Sequence, residues 1–240
     1  MVMVAGAALQ KDLDPHSEDA LGRSAILRGL APADRAALVD CFSYVRFLPG
    51  EPIYRDGELD DRLYVVVDGK VKIGWHSPDL PEKLLAVLGP SDILGAESMF
   101  DSGPRVGSAT ALTGVVAAVI DHATLQACTE GRPHITEQLM RLLARSLQRA
   151  EDLISDLNFT DVPGRIAKQL LHLAQRFGIR HDQQLRLDHG LTQAEIAQLV
   201  GASRESVNKA LSEFVHRGWI TVDGKSLVIH QTELLARRAR

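Results

Sequence analysis

Residues 191–220, LTQAEIAQLVGASRESVNKALSEFVHRGWI, constrain the chain more than any other stretch. Thr192 is a good N-cap, and Glu195 stands three residues later, the spacing of a capping box. Ile196, Leu199 and Val200 then fall on one helical face. Gly201 breaks the pattern and suits the left-handed position that ends a helix. Ser203 caps a second helix, with Val207, Leu211, Phe214 and Val215 as its expected buried face. Arg204, Glu205, Ser206, Asn208 and Lys209 are left free to point the other way.

Two short helices joined by a tight turn, the second with a polar outer face, read as a helix-turn-helix. Its second helix would enter the major groove of double-stranded DNA. Arginine can fork onto guanine and glutamate can accept from the cytosine amino group. Gln193, Ser203, Ser206, Asn208 and Lys209 suit phosphates or further base edges. The plainer alternative is a helical hairpin with a solvated charged face. Net charge is −4, which alone argues against a nucleic-acid partner, but its distribution argues for one. Residues 1–160 hold 15 Lys/Arg against 23 Asp/Glu, whereas residues 161–240 hold 12 against 8. The basic surplus lies with the helix-turn-helix, where phosphates need it.

The same stretch, with its S-R-E-S-V run, resembles the DNA-binding segment of the cyclic-AMP receptor protein/FNR (CRP/FNR) family of transcription regulators. The upstream run DVPGRIAKQLLHLAQRFG is similar to the branch found in high-GC Gram-positive bacteria. The resemblance implies an α+β fold with three parts. These are an N-terminal cyclic-nucleotide-binding-type β-roll (jelly roll), a long dimerisation helix and a C-terminal winged helix-turn-helix. It also implies a homodimer on inverted repeats of TGTGA-like half-sites, RNA polymerase as a further partner, Arg204 and Glu205 as base readers, and Lys209 reaching a further base or a phosphate.

The rest of the chain is consistent with that layout. Residues 1–20 lack periodicity and read as a flexible tail. Residues 21–125 form the expected effector domain. It begins with short helices around Ile26, Leu27, Leu30 and a helix opened by Pro32. Short β-type runs separated by turn residues follow up to Ile120, the pattern of a barrel or jelly roll. Within them VVVDGKVKI reads as a hairpin turning at Asp68-Gly69. Residues 126–158 are expected to be the dimerisation segment, built on one helix running from Leu125 to Leu157. Met140, Leu143, Leu147, Ala150, Ile154 and Leu157 recur at steps of three and four, a coiled-coil seam, with Leu139, Leu142 and Leu153 on a neighbouring face. Residues 159–240 are the DNA-binding domain. Thr160 or Asp161 is the expected cap of a helix ending at Phe177, and a wing pairs residues 219–222 with 226–229 across Asp223-Gly224.

The effector pocket departs from the family. There, a Gly-Glu-Leu run binds the ribose and a Pro-Arg-Thr/Ser run binds the cyclic phosphate. Here the segment is ILGAESMFDSGPRVGSATAL. Gly95 and Arg105 match, but Ala96 replaces the ribose glutamate, with Glu97 one residue away, and Val106 replaces the phosphate-binding hydroxyl. On the long helix, Ala150 and Glu151 stand where the resemblance implies two adenine-contacting polar residues. Lost hydrogen bonds of about 1–3 kcal/mol each would weaken cyclic AMP severely. The effector is therefore expected to be a nucleotide at most. The open alternatives are cyclic AMP itself, a different one such as a cyclic dinucleotide, and constitutive DNA binding.

Other classes are disfavoured. No apolar run reaches the ~18 residues of a membrane span, and the N-terminus does not read as a secretory signal. Two cysteines, Cys41 and Cys128, form neither a disulfide framework nor a metal-ligand spacing, so a cytoplasmic setting is expected. An iron–sulfur sensor needs about four thiolates. A haem sensor could use His76 or His122, though both read as surface histidines. No catalytic constellation is apparent, so an enzyme is not expected. The remaining alternative is an interaction module whose helix-turn-helix makes protein contacts only.

Overall fold

The computed structural model describes residues 7–9, 20–77, 80–101, 103–181 and 184–239. They divide into two compact units, Met1–Gln148 and Arg149–Arg240.

The first unit is a roll of two antiparallel sheets. One has the order β1(Ala7–Leu9)–β2(Ser43–Phe47)–β9(Val115–Ile120)–β4(Leu63–Asp68)–β7(Ile93–Leu94). The other has the order β3(Pro52–Tyr54)–β8(Ser108–Ala111)–β5(Val71–Ser77)–β6(Leu80–Leu88). Strand β4 is buried on both faces, which is why LYVVV reads as a continuous apolar run. Tyr64 and Val66 face the roll interior with Phe47, Tyr54, Val71, Ala109 and Val115. Leu63, Val65 and Val67 face the opposite side, against helices. That outer layer comprises α1(Pro32–Asp40), α3(His122–Thr129) and the start of α4(Pro133–Phe159), packed through Leu38, Leu125, Ile135, Leu139 and Leu142. The short α2(Ala96–Phe100) follows β7.

Several expectations fail here. Asp68-Gly69 does not close a hairpin, because β4 pairs with β7 and β9 while β5 pairs with β6 and β8. The turn instead carries the chain from one sheet to the other. A second crossing, at Thr113-Gly114, lies against it: Lys70 N–H donates to Thr113 Oγ1 at 2.9 Å and Leu112 N–H donates to Lys70 O at 2.8 Å. A two-residue turn signal specifies a reversal, not which strand becomes the partner. The N-terminal tail also contains structure, since β1 pairs along the open edge of β2, Ala7 opposite Arg46. Backbone pairing at a sheet edge needs no side-chain periodicity. Buried Ala20 already belongs to the effector domain, its carbonyl accepting from Ser91 Oγ at 2.8 Å, and the rest of the tail lies outside the described residues.

The expected single helix from Leu125 to Leu157 is broken. α3 ends at Thr129, and α4 opens at Pro133. Gly131 between them has φ 71°, a conformation glycine adopts without strain, and Pro133 cannot continue a preceding helix. Along α4, Leu139 and Leu142 are buried in the first unit, and buried Gln138 donates through Nε2 to Ala25 O (2.6 Å) and Arg28 O (2.7 Å). Met140 (59%), Leu147 (63%), Ile154 (60%) and Leu157 (54%) remain exposed, as does Leu153 of the neighbouring stripe (47%).

The cysteines correct a further expectation. Cys41, at the end of α1, and Cys128, in α3, are joined by a disulfide with Cα atoms 7.1 Å apart and a sequence separation of 87. Spacing rules see local motifs and miss a pair brought together by packing helices. In a reducing compartment these sulfurs would stand as thiols. Closing so long a loop is expected to contribute about 2–4 kcal/mol. Thermal melts with and without a thiol reductant should therefore differ, with Cys128→Ser melting as the reduced protein does. Identical melts would remove any stabilising role.

In the second unit, α5(Val162–Phe177) packs its Ile166, Ala167, Leu170 and Leu173 inward. Asp161 caps it, accepting from Gly164 N–H at 3.0 Å. Asp161 also accepts from Arg238 Nη2 at 2.5 Å, and this bond holds its carboxyl below the usual range. A four-stranded sheet, β10(Gly178–His181)–β11(Gln184–Asp188)–β13(Ser226–Ile229)–β12(Ile220–Asp223), completes the wing. β10 had no sequence signal of its own. Asp223 pairs with Ser226, so the wing turns at Gly224-Lys225, one residue later than expected. The C-terminal α8(Thr232–Arg238) carries the basic tail.

Candidate nucleic-acid interface and effector pocket

The helix-turn-helix is built by its caps. Thr192 Oγ1 accepts from Glu195 N–H at 3.2 Å, and Glu195 Oε2 accepts from Thr192 N–H at 2.7 Å, closing the capping box at the start of α6(Gln193–Leu199). The turn runs through Gly201 at φ 59°. Ser203 Oγ then accepts from Ser206 N–H at 3.1 Å and starts α7(Arg204–His216). Val207, Ala210, Leu211 and Phe214 form the buried face of α7, and Phe214 stacks on Trp219 with ring centroids 5.5 Å apart. Val215 was expected inside but is 43% exposed, and Ala210 takes the inner position. A 100° turn per residue places position 210, not 215, in line with 207 and 214.

The site residues separate into three groups. Arg204, Glu205 and Lys209 are exposed on the first turns of α7. Ser203 and Ser206 are engaged in the cap, their hydroxyls 2.9 Å apart. Gln193 and Asn208 share a groove of about 540 Å³ with Leu211, Ser212, Val215, His216 and Val222, where Asn208 Oδ1 is buried without a hydrogen-bond partner. One contributor escaped the sequence reading. Arg165 donates through Nε to Val200 O (2.8 Å), through Nη2 to Gly201 O (3.3 Å) and through Nη1 to Thr160 O (2.6 Å). It therefore fastens the turn of the motif to the beginning of α5. Only its place in the first turn of a helix, where a cation is not helped by the dipole, hinted at a special role.

The pocket residues of the first unit lie around α2. Gly95 is the N-cap of that helix at φ 74°, Ala96 is buried, and Glu97 is exposed. Arg105 is 2% exposed and sits against Gly95, where a Cβ would collide with its Nη1. Val106 is 54% exposed. Arg105 does not stand alone. Its Nη2 donates to Asp60 Oδ2 at 3.0 Å and to the Arg62 carbonyl, and its Cζ lies 4.4 Å from the centre of the Tyr54 ring. Asp60 also accepts from Arg62 Nε (2.5 Å) and from Tyr64 Oη (3.2 Å). Burial pushes the Asp60 carboxyl upward, but hydrogen bonds from Arg62 and Arg105 outweigh it and hold the group ionised, below its usual range. Burial raises both Tyr54 and Tyr64, keeping the phenols neutral. Arg105 Nε and Nη1 are buried and unpartnered.

Sequence reasoning found Arg105 but missed Asp60, because RDGELDD reads as turn chemistry, and missed Tyr54, Arg62 and Tyr64, because they lie in runs that read only as strands. Ala150 and Glu151 are exposed on α4, in the second unit. The side chain of His76 lies outside the described residues, and that of His122 is exposed. Among the described residues no group of three or more His, Cys, Asp or Glu is arranged to hold a metal ion. None of their helices is long and apolar enough to cross a membrane.

Two family models match the two units. Residues 44–131 match a cyclic nucleotide-binding domain and residues 164–238 a Crp-like helix-turn-helix domain. A protein of Mycobacterium tuberculosis (strain CDC 1551 / Oshkosh) named "CRP-like cAMP-activated global transcriptional regulator" is 53% identical over 223 residues, covering 93% of this chain and 100% of that protein. The chain belongs to the CRP/FNR family. The chain is also 29% identical over 217 residues to the cyclic AMP receptor protein of Thermus thermophilus, covering 88% of this chain and 95% of that one. Among solved structures, it is similar to the c-di-GMP responsive regulator CLP of Xanthomonas campestris. That match has a TM-score of 0.70 at 25% identity, over 83% of this chain and 99% of that chain. The fold is also that of FixK2 from Bradyrhizobium japonicum, with a TM-score of 0.71 at 21% identity over 83% of this chain and 98% of that one. The chain is thus a DNA-binding transcription regulator with a cyclic-nucleotide-type effector domain and a winged helix-turn-helix.

Proposed function

We propose that this regulator works as a cytoplasmic homodimer, joined through α4, that reads inverted repeats of TGTGA-like half-sites and presents the bound DNA to RNA polymerase. The observation that carries the DNA reading is the exposed trio Arg204, Glu205 and Lys209 on the first turns of α7, the part of a recognition helix that reaches base edges. Gln193, Ser203, Ser206 and Asn208 sit beside it as phosphate or positioning contacts. A twofold DNA site needs a twofold protein, and the exposed seam Met140, Leu147, Ile154, Leu157 supports one. No catalytic role is assigned.

For the effector, the reading is that ordinary cyclic-AMP control is weakened. Ala96 offers a methyl where a carboxylate is expected, and Val106 offers no hydroxyl. Ala150 and Glu151 offer no hydroxyl or amide donor, and buried Arg105 already has an internal carboxylate. The names of relatives keep two nucleotide classes in play, cyclic AMP and a cyclic dinucleotide. Titration calorimetry of the purified protein with each, beside an operator-binding assay, tests this. Micromolar or tighter cyclic-AMP binding that improves operator affinity would overturn the weakened reading and leave an ordinary cyclic-AMP switch.

The DNA reading has its own test. Arg204→Ala is expected to cost about 1–3 kcal/mol of operator affinity and to relax specificity at one base pair. Competition assays with single-base operator variants measure both. Unchanged affinity and unchanged discrimination would mean that α7 does not dock as described.

A further inference from the structure

The buried polar cluster beneath α2 contains an arginine whose donors are only half used. Arg105 Nη2 is doubly engaged, by Asp60 Oδ2 and the Arg62 carbonyl, while Nε and Nη1 are buried with no partner. Unpartnered guanidinium donors are costly, so they mark where an acceptor would fit. Within the hydrogen-bonded cluster two arginines face one aspartate, while the carboxylates of exposed Asp61 and Glu97 lie near enough to act on Arg62 and Tyr54 respectively. Arg105 lies within the stretch that matches a cyclic nucleotide-binding domain. A phosphate oxygen and a carboxylate oxygen bind a guanidinium by the same charge-assisted hydrogen bonds, so each can displace the other.

We propose that Asp60 sets the affinity of this domain for a phosphate-bearing effector, by acting as a built-in anion that competes for Arg105. The inference rests on reading the β-roll as an effector-binding domain. Asp60 is well placed for this. Its side chain is 6% exposed, and three donors other than Arg105 hold it: Arg62 Nε at 2.5 Å, Arg62 N–H at 3.3 Å and Tyr64 Oη at 3.2 Å. Because the scaffold fixes the carboxylate, it does not have to be ordered each time it meets Arg105, whereas a free phosphate does. The guanidinium is hemmed in elsewhere too, with Nη1 against Gly95 and the Tyr54 ring on its face, 4.4 Å from Cζ. An incoming phosphate must therefore detach Asp60 from Nη2 or enter beneath Gly95 to the two unused nitrogens. Ala96 and Val106 describe contacts that are missing, whereas Asp60 is an added competitor. The two effects are separable by mutation.

The experiment compares the full-length protein with Asp60→Asn, Asp61→Asn and Arg62→Gln, using cyclic AMP as the probe in calorimetry and in thermal melts. Asp60→Asn keeps the shape but removes the competing charge, and is expected to tighten cyclic-AMP binding about tenfold or more. Asp61→Asn removes the same charge from an exposed neighbour and should leave binding within about twofold, because exposed charges are screened. Arg62→Gln releases Asp60 from its other cation, so Asp60 should grip Arg105 alone. Millimolar cyclic AMP should then raise the melting temperature less than it does for the unaltered protein. The idea is overturned if Asp60→Asn binds no tighter, or if Asp61→Asn tightens binding equally. Should Asp60→Asn not fold, an equal or larger melting shift for Arg62→Gln overturns it. Tight binding by the unaltered protein would sink the weakened cyclic-AMP reading alone, since Asp60 is judged by the ratio between variants.

Discussion

Leu147→Glu combined with Ile154→Glu is expected to convert the protein from dimer to monomer and to lower its affinity for a two-half-site operator by about 10²- to 10⁴-fold. Both side chains are more than half exposed on α4, so their replacement removes nothing from the core of either unit. In a symmetric dimer each substitution acts twice. An apolar side chain of this size contributes about 1.5–3 kcal/mol when buried. Four of them account for about 6–12 kcal/mol, comparable with the roughly 8 kcal/mol that separates a micromolar dimer from free protomers. Glutamates facing one another along the seam add repulsion. Sedimentation at micromolar concentration measures the assembly, and operators with one or two half-sites measure its consequence. Binding to a single half-site should change little, because α7 is untouched. A variant that stays dimeric would show that the seam is not the interface.

How much of this was legible without coordinates depended on what each feature requires. The helix-turn-helix was readable in detail because its signals are local: Thr192 with Glu195, Gly201 and Ser203 each act within four residues of themselves. The seam on α4 was readable as a period, but the period alone did not distinguish Leu139 and Leu142, which are buried, from Leu153, which is not. The sheets were the hardest part. Strand positions followed from turn residues, yet the partner of β4 is set by where the chain crosses between sheets, and Asp68-Gly69 looks the same in a hairpin and in a crossing. The disulfide and the Asp60 cluster were invisible for a related reason. Cys41 and Cys128, or Asp60 and Arg105, are distant in sequence and meet only through the fold. The pocket substitutions at Ala96 and Val106 could be seen one by one, but not that a carboxylate from another loop holds the arginine between them.

Arg165→Ala should be the most damaging single change in the DNA-binding unit outside its apolar core. The guanidinium serves three carbonyls from two places: Thr160 O at the start of α5, and Val200 O and Gly201 O at the end of α6. Helix ends leave carbonyls without intrahelical partners, and a cation there also meets the negative end of the dipole. Hydrogen bonds from a charged donor contribute about 1.5–3 kcal/mol each, and the 3.3 Å bond to Gly201 less, so truncation should cost the unit about 3–5 kcal/mol. A one-domain unit has only about 5–15 kcal/mol in total, so its melting transition should fall well below that of the first unit. Arg165→Lys offers a single movable ammonium in place of a planar fork and should recover only part of the loss. Calorimetry of the full chain, which separates the two transitions, gives the stability. Operator binding well below the lower transition tests whether the turn also holds α7 in its docking orientation. If Arg165→Ala melts within about 1 kcal/mol of the unaltered protein, the three bonds hold little of the structure, and the placement of α7 must come from the packing of Val207, Leu211 and Phe214 alone.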